Sequence, residues 1–198
     1  MFRVQLTEVR SKRNLYVSEL KIGRMEQVKW FDRKFDFDFS QNIFPSILER
    51  LDGTPVRLEE KCNAIPSAIM GEKINNAWSI KEHVGHLADL EPLWQGRLTD
   101  IITGQAELRP TDLQNTQTNL AGHNQKPIDE LLRSFREVRT QTMELLMDID
   151  ENTIFKSALH PRLGTPMRTM DLFLFVAEHD DHHLAKITEL VKIIQGQK

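Results

Sequence analysis

Apolar residues recur every three or four positions along four long segments of this 198-residue chain, and this spacing constrains the fold more than any other feature. Such a period is typical of helices that bury one face. The segments run from about Gln41 to Ile65, from Ser79 to Gly104, from Pro127 to Leu146, and from Thr169 to Ile194. The sequence shows no internal repeat and no pair of strong strand patterns. We therefore predict an all-α protein that folds as a four-helix bundle.

Local signals mark where helices begin. Ser79 and Glu82 match a capping box, in which the serine hydroxyl oxygen accepts a hydrogen bond from the Glu82 amide and the carboxylate accepts one from the serine amide. Thr54 followed by Pro55 resembles an N-cap with proline at the first helical position, which predicts a bent first helix. Pro92 lies inside the second segment and tends to kink a helix.

Three stretches lack any helical period. Residues 104–126 and residues 149–168 are predicted to be long loops, and loops of such length are usually functional or mobile. Residues 1–24 mix short alternation with basic side chains. We expect residues 1–24 to be an ordered arm or an extension from an upstream start codon, and residues 25–198 to form the bundle.

Charge and cysteine content argue against several classes of function. The formal net charge of −3 gives no reason to expect nucleic acid or a membrane as a partner. The most apolar run, residues 172–177, is far shorter than the ~20 residues needed to span a bilayer. The chain starts without the features of a secretory signal. The single Cys62 lies in an amphipathic run, so we expect a buried thiol, a reducing compartment and a cytoplasmic location.

Two histidines lie on the apolar face of the last predicted helix. His179 and His183 stand four residues apart, so they are about 40° apart in projection. The same face carries apolar side chains, which points both imidazoles toward the bundle interior. Their burial is costly unless the ring nitrogens find partners. A metal ion that takes a lone pair from each ring is one solution, and hydrogen bonds to carboxylates or water are the other.

A metal ion would need a third ligand from another helix. The second helix offers His83, near the centre of its apolar face, and His86, at the edge of that face. Periodicity does not choose between them. On the last helix, His182 lies about 60° from the direction of His179. We expect His182 to lie in an outer shell of the site or to be partly exposed.

Two motifs resemble the DinB superfamily, and especially its YfiT-like branch. The motifs are W-S-I-K-E-H-V-G-H-L-A-D-L-E at residues 78–91 and E-H-D-D-H-H-L-A-K-I at residues 178–187. The resemblance implies a four-helix bundle with a long crossover between its second and third helices. It also implies a metal held by one histidine on the second helix and an H-x-x-x-H pair on the last. These positions correspond to His86, His179 and His183.

Other metal sites match the sequence less well. The zincin motif H-E-x-x-H would need glutamate where this chain has Asp180, and no histidine follows a glutamate by three residues, as a di-iron bundle requires. Three neutral histidines suit one Zn²⁺, Ni²⁺ or Fe²⁺ ion with an open position. Four other polar residues are candidates near the site. His123 and His160 lie in the long loops, where we expect solvated side chains. The alternative is that one of them covers the metal cleft as a proton shuttle or substrate contact, and His160 is the better candidate because it leads directly into the last helix. Asp89 and Glu91 face solvent or accept from an imidazole.

The resemblance implies two kinds of metal-dependent chemistry: hydrolysis, or transfer of a low-molecular-weight thiol to an electrophile. Both use a metal ion to generate a nucleophile near neutral pH. The absence of a glutamate base at position 180 favours thiol transfer. The alternative is a non-catalytic, metal-stabilised bundle that acts in stress response or interaction. We expect a small-molecule substrate and, from the resemblance, a homodimer.

Overall fold

The computed structural model describes residues 27–196, and most of these residues are helical. The helices are α1 (Phe44–Asn63), α2 (Ile80–Ile102), α3 (Thr116–Leu120), α4 (Ile128–Met147), α5 (Glu151–Phe155) and α6 (Thr169–Gly196). Strands β1 (Ser157–Leu159) and β2 (Pro166–Arg168) precede α6, and single 3-10 turns span Trp30–Asp32, Ser67–Ile69 and His123–Gln125. The predicted arm, residues 1–24, lies outside the described residues. Between residues 27 and 196, no helix is both long and apolar enough to cross a membrane.

The chain divides into two units, residues 1–33 and residues 34–198. In the described part of the first unit, the Arg33 guanidinium lies 5.3 Å from the centre of the Trp30 ring. The second unit is the predicted four-helix bundle. In it, α1 and α2 each pack mainly against α4 and α6.

A shared apolar core fills the space between the four long helices. It consists of Leu58 and Cys62 from α1, Ile80, Val84 and Leu87 from α2, Leu131, Leu132 and Phe135 from α4, and Leu184, Ile187, Leu190 and Ile194 from α6. Each fully buried aliphatic or aromatic side chain contributes roughly 1.5–3 kcal/mol. Cys62 is buried as expected, and burial raises the pKa of its thiol to about 11. The thiol therefore stays protonated and unreactive near neutral pH.

One predicted helix start is confirmed and the other is wrong. The capping box is present: Ser79 Oγ accepts from the Glu82 amide at 3.2 Å, and the Ser79 amide donates to the Glu82 carboxylate at 2.8 Å. Thr54 caps nothing, because α1 continues through Thr54 and Pro55. Its hydroxyl donates back to a carbonyl of the preceding turn, as a threonine inside a helix commonly does.

Arg139 explains why α1 tolerates an internal proline. Pro55 has no amide hydrogen for the carbonyl four residues back, which belongs to Leu51. That carbonyl instead accepts from Arg139 Nη1 at 3.2 Å. The same guanidinium donates to Glu91 of α2 at 2.6 Å and to Asp180 of α6 at 2.7 Å. One buried side chain of α4 therefore bonds to the other three long helices.

Glu91 differs from its prediction. Its carboxylate is completely buried, so it does not face solvent, and it accepts from Arg139 and Thr142 instead of from an imidazole. Burial raises the pKa of Glu91, while the charge of Arg139 opposes that shift. Burial alone would lower the pKa of Arg139, but Asp180 and Glu91 raise it. The arginine therefore remains charged.

The predicted long link between the second and third long helices is present, and we call residues 103–127 the crossover. It contains α3 and a 3-10 turn, neither of which has a visible period. The loop before α6 contains an antiparallel hairpin of β1 and β2 that the sequence analysis missed. The crossover joins this hairpin, because the Leu108 amide donates to Leu159 and the Leu159 amide donates to Ala106, each at 2.9 Å.

Candidate metal centre

Three histidines from two helices lie together in the bundle interior. His86 of α2 and His179 and His183 of α6 each offer one ring nitrogen, and these nitrogens lie within 4.8 Å of one another. The Nε2 atoms of His179 and His183 are 3.1 Å apart. Two nitrogens that bind one tetrahedral ion at 2.0–2.1 Å would be about 3.3 Å apart. This grouping, which we call the three-histidine cluster, is the one implied by the family resemblance.

All three imidazoles are neutral near pH 7. Burial lowers the pKa of His86 to about 4 and holds the pKa of His179 and of His183 well below the ordinary value. Neighbouring histidines lower the pKa of His179 and His183 further. A neutral imidazole has the lone pair that a divalent metal ion requires. The donor set therefore fits a metal ion without any proton having to leave.

Hydrogen bonds determine which nitrogen of His86 has the lone pair. The Thr118 hydroxyl of α3 donates to Asp89 Oδ2 at 2.7 Å, and its oxygen lies 3.0 Å from His86 Nδ1. Because the single hydroxyl proton is used by Asp89, the threonine oxygen accepts the Nδ1 proton of His86. The Nε2 atom of His86 then has the lone pair that can bind a metal ion. Asp89 thus acts on the His86 imidazole through Thr118, and it also contacts the His123 imidazole directly.

His83 is the outer partner of His183. Their Nδ1 atoms lie 2.8 Å apart, so one donates to the other. If Nε2 of His183 has the lone pair, the proton of that ring is on Nδ1. His183 Nδ1 then donates to His83 Nδ1. His83 therefore lies beside the three-histidine cluster, and His86 belongs to it. Outer partners of this kind fix the ring orientation of a ligand and increase its basicity.

His123 and His182 are both buried, so neither is the exposed side chain that we considered. His123 Nε2 lies 2.9 Å from Asp89 Oδ2. Its ring packs so closely on Gly85 that a Cβ at residue 85 would come within 2.4 Å of it. The His182 ring meets the His183 ring edge-on, with the ring centres 5.4 Å apart. Both histidines lie around the three-histidine cluster and outside it.

Two tryptophans flank the cluster. The centre of the Trp78 ring lies 4.6 Å from that of His86 and 6.2 Å from that of His183. Its indole nitrogen donates to Asn119 of the crossover at 2.9 Å. The Trp94 ring meets His179 edge-on at 5.9 Å. These aromatic contacts limit the access of water to the imidazoles, which strengthens electrostatic interactions there.

The carboxylates next to the cluster differ in their availability. Asp180 lies at the position of the zincin glutamate. Both of its oxygens accept hydrogen bonds from Arg139. Asp89 is 13% exposed in its side chain and, with Thr118, lines a cavity of about 190 Å³. The rest of the lining comes from α2 and from residues 110–117 of the crossover. A molecule in this cavity would therefore meet the carboxylates of Asp89 and Asp112.

His160 was expected to be solvated or to cover the metal cleft, and it does neither. Its side chain is buried, with Nε2 3.1 Å from Arg97 Nη1. Its ring centre lies 5.7 Å from that of Phe175. His160 is outside the three-histidine cluster, and no spacing in the sequence links residue 160 to residue 97.

Comparisons with known proteins agree with this architecture. The solved structure of YfiT from Bacillus subtilis, described as a probable metal-dependent hydrolase with an unusual four-helix bundle topology, matches with a TM-score of 0.70 and 20% identity, over 82% of this chain and 94% of that one. A mycothiol-dependent maleylpyruvate isomerase matches with a TM-score of 0.59 and 11% identity, over 73% of this chain and 60% of that one. No curated protein sequence matches. The model of the DinB superfamily matches residues 37–187, so the chain belongs to the DinB superfamily.

Proposed function

We propose that this protein is a metal-dependent enzyme in which His86, His179 and His183 hold one divalent ion. The observation that carries the proposal is the cluster of three neutral, buried imidazoles, two of which have outer partners at Nδ1. Nitrogen donors of this kind suit Zn²⁺, Ni²⁺ or Fe²⁺. With three protein ligands and an open position, such an ion lowers the pKa of a water or thiol that joins it.

The chain itself supplies orientation and enclosure. Thr118 holds the imidazole of His86 in the tautomer that presents Nε2. His83 contacts Nδ1 of His183, whose Nε2 faces His179. Trp78 and Trp94 cover the cluster. The cavity lined by Asp89 and Thr118 adjoins the residues that contact His86 at Nδ1. We propose that the substrate is a small molecule bound there.

Transfer of a thiol to an electrophile is the reaction that the carboxylates favour. Hydrolysis needs a general base that takes a proton from water. The carboxylates of Asp180 and Glu91 are both bonded to Arg139 and are not available as bases. A thiol, with an ordinary pKa of about 8.5, needs less help to ionise than water. We therefore propose a low-molecular-weight thiol as the co-substrate.

Hydrolysis is the second candidate, because Asp89 lies at the cavity wall. A carboxylate there is positioned to accept a proton from water or to position a substrate. The likeness to YfiT, described as a probable hydrolase, supports this alternative at the level of the fold.

The test compares the two reactions in metal-loaded protein purified without a histidine tag. One panel contains small thiols with a haloarene or an epoxide, and the other contains esters and amides. We expect thiol conjugation that is lost in His183→Ala and retained in His182→Ala, a neighbouring buried histidine outside the three-histidine cluster. Ester or amide turnover without conjugation would replace thiol transfer by hydrolysis.

A metal that raises the melting temperature without turnover in either panel would contradict the enzyme proposal. The ion would then stabilise a non-catalytic bundle. This outcome is distinguishable from a failure of metal binding, because melting temperature and metal content are measured on the same samples.

A further inference from the structure

Two arginines of the bundle are almost completely buried, and they differ in their partners. Arg97 and Arg139 are each 1% exposed. Arg139 donates to two carboxylates, those of Glu91 and Asp180. Arg97 donates from Nε to the Arg109 carbonyl at 3.1 Å, and its Nη1 lies 3.1 Å from His160 Nε2. Its Nη2 is buried without a hydrogen-bond partner. Among residues 27–196, no carboxylate hydrogen-bonds to Arg97.

Asp100 does not compensate the charge of Arg97 directly. Its carboxylate attracts Arg97, but it accepts three hydrogen bonds from Arg109: from the amide at 2.8 Å, from Nε at 2.9 Å and from Nη2 at 2.7 Å. Burial lowers the pKa of Arg97 to about 10 in spite of Asp100. An arginine with this pKa is still charged at pH 7. A buried charge without a bonded counter-charge is costly.

His160 adds a further donor at the same place. Its Nδ1 accepts from the amides of Arg162 and Leu163, each at 3.2 Å. Burial, together with the charges of Arg97 and Arg162, lowers its pKa to about 4, so the imidazole has a single proton. With Nδ1 as an acceptor, that proton is on Nε2. Nε2–H then faces the Nη1–H of Arg97 across 3.1 Å, and no acceptor lies between these two donors.

We propose that Arg97 and His160 form a binding site for the carboxylate of a small molecule. A carboxylate supplies the two things that this place lacks: negative charge, and oxygen acceptors for Nη1 and Nη2 of Arg97 and for Nε2 of His160. A guanidinium with two free N–H groups matches a carboxylate in a bidentate manner. Three separate parts of the chain form the site, because α2 carries Arg97, the β1–β2 turn carries His160 and the crossover carries the Arg109 carbonyl.

The position of Trp94 connects this site with the three-histidine cluster. The Arg97 guanidinium lies 5.5 Å from the centre of the Trp94 ring, and the His179 ring lies 5.9 Å from the same centre. A molecule whose carboxylate is held by Arg97 is therefore one aromatic ring away from a proposed metal ligand. That the carboxylate belongs to the substrate rests on the proposed function. The binding of the carboxylate itself requires no metal.

The experiment measures thermal unfolding of metal-free protein at constant ionic strength, with acetate or succinate replacing chloride or phosphate. A ligand that binds the folded state raises the melting temperature, and the rise grows with the logarithm of one plus the ratio of ligand concentration to Kd. We expect the carboxylates to raise the melting temperature of the wild type, chloride and phosphate to raise it less, and Arg97→Met to abolish the rise. Without added carboxylate, Arg97→Met should melt at or above the wild type, because it removes an uncompensated buried charge.

Two further variants keep the test decisive. Arg139→Met, at equal burial, should lower the melting temperature, because it removes a partner of two buried carboxylates. Arg97→Lys keeps the charge but not the paired N–H groups, and should bind acetate at least several-fold more weakly by calorimetry. A carboxylate response of Arg97→Met equal to that of the wild type would overturn the proposal, and so would chloride or phosphate acting as strongly as acetate.

The outcomes separate this proposal from the proposed function. Stabilisation by carboxylates without turnover in either substrate panel would support the carboxylate site and contradict the proposed enzymatic function. Metal-dependent turnover without any Arg97-dependent effect of carboxylates would support the enzymatic function and contradict the carboxylate site.

Discussion

At the residue scale, the Thr118 hydroxyl determines which nitrogen of His86 is available to a metal ion. Thr118→Val keeps the shape of the side chain but removes the acceptor of the Nδ1 proton. We expect metal affinity to fall by about 10- to 100-fold, the usual effect of losing an outer partner of a ligand. Competition with a chelating dye measures this. Thr140→Val is the control, since it removes a hydroxyl that donates only to the Arg136 carbonyl, and it should leave the affinity unchanged.

A second prediction at this scale concerns the two histidines of α2. We expect about one divalent ion per chain, lost in His86→Ala and retained with weaker affinity in His83→Ala. The reason is that His83 contacts His183 through Nδ1 and lies outside the three-histidine cluster. Elemental analysis of the purified variants gives the answer. If His86→Ala retained the metal ion and His83→Ala lost it, His83 and not His86 would be the ligand from α2.

The sequence predicted some of these residues and not others. His179 and His183 are visible because they share one face of a helix whose apolar residues recur regularly. Thr118 lies 32 residues from its partner, in a stretch with no period, so nothing in the sequence pairs it with His86. His83 and His86 could not be separated by projection, because the distinction depends on which ring nitrogen faces α6.

At the element scale, Arg139 is the contact that holds the four long helices in one arrangement. Arg139→Met leaves two buried carboxylates without their partner, so we expect the free energy of unfolding to fall by about 3–5 kcal/mol. Arg136→Met is the matched control on the same helix. It breaks an exposed pair with Glu59, and we expect a change within about 1 kcal/mol. Urea unfolding of metal-free protein measures both variants. An equal decrease in the free energy of unfolding would show that the buried contacts of Arg139 stabilise the fold no more than an exposed ion pair does.

The contacts of Arg139 also help to explain which parts of the fold the sequence did not predict. The four long helices were predictable because each repeats its apolar pattern over several turns. The interruption at Thr54 and Pro55 was misinterpreted, because the Leu51 carbonyl is satisfied by a side chain 88 residues away. The three-residue strands of the hairpin are too short to show alternation. Their pairing with the crossover joins residues as far apart in sequence as Leu108 and Leu159.

At the scale of the whole molecule, buried histidines should make stability depend on pH. The ordinary histidine pKa of 6.5 is lowered in the folded protein to about 3 for His83 and to about 4 for His86 and His160. Between pH 6.5 and about 4 the unfolded chain therefore binds more protons than the folded one, so acid favours unfolding. Each such histidine contributes up to about 1.4 kcal/mol per pH unit in this window.

The measurement is urea unfolding of metal-free protein at pH 7 and pH 5. We expect a lower midpoint at pH 5, and a smaller decrease in His160→Gln, which removes one of these histidines without touching the three-histidine cluster. An unchanged midpoint between the two pH values would contradict the assignment of neutral buried imidazoles.

The crossover has a consequence for cutting and rejoining the chain. A long link between helices is ordinarily a good place for new chain ends, because few packing contacts depend on its continuity. Here Thr118 and His123 both reach Asp89, and Asn119 and Asn124 bond to Trp78 and Ser79. A circular permutant opened at residues 112–114 would keep Thr118, Asn119, His123 and Asn124 together on one intact segment. One opened between residues 119 and 122 would divide them between the two new ends, and metal retention would be lost before the bundle itself came apart.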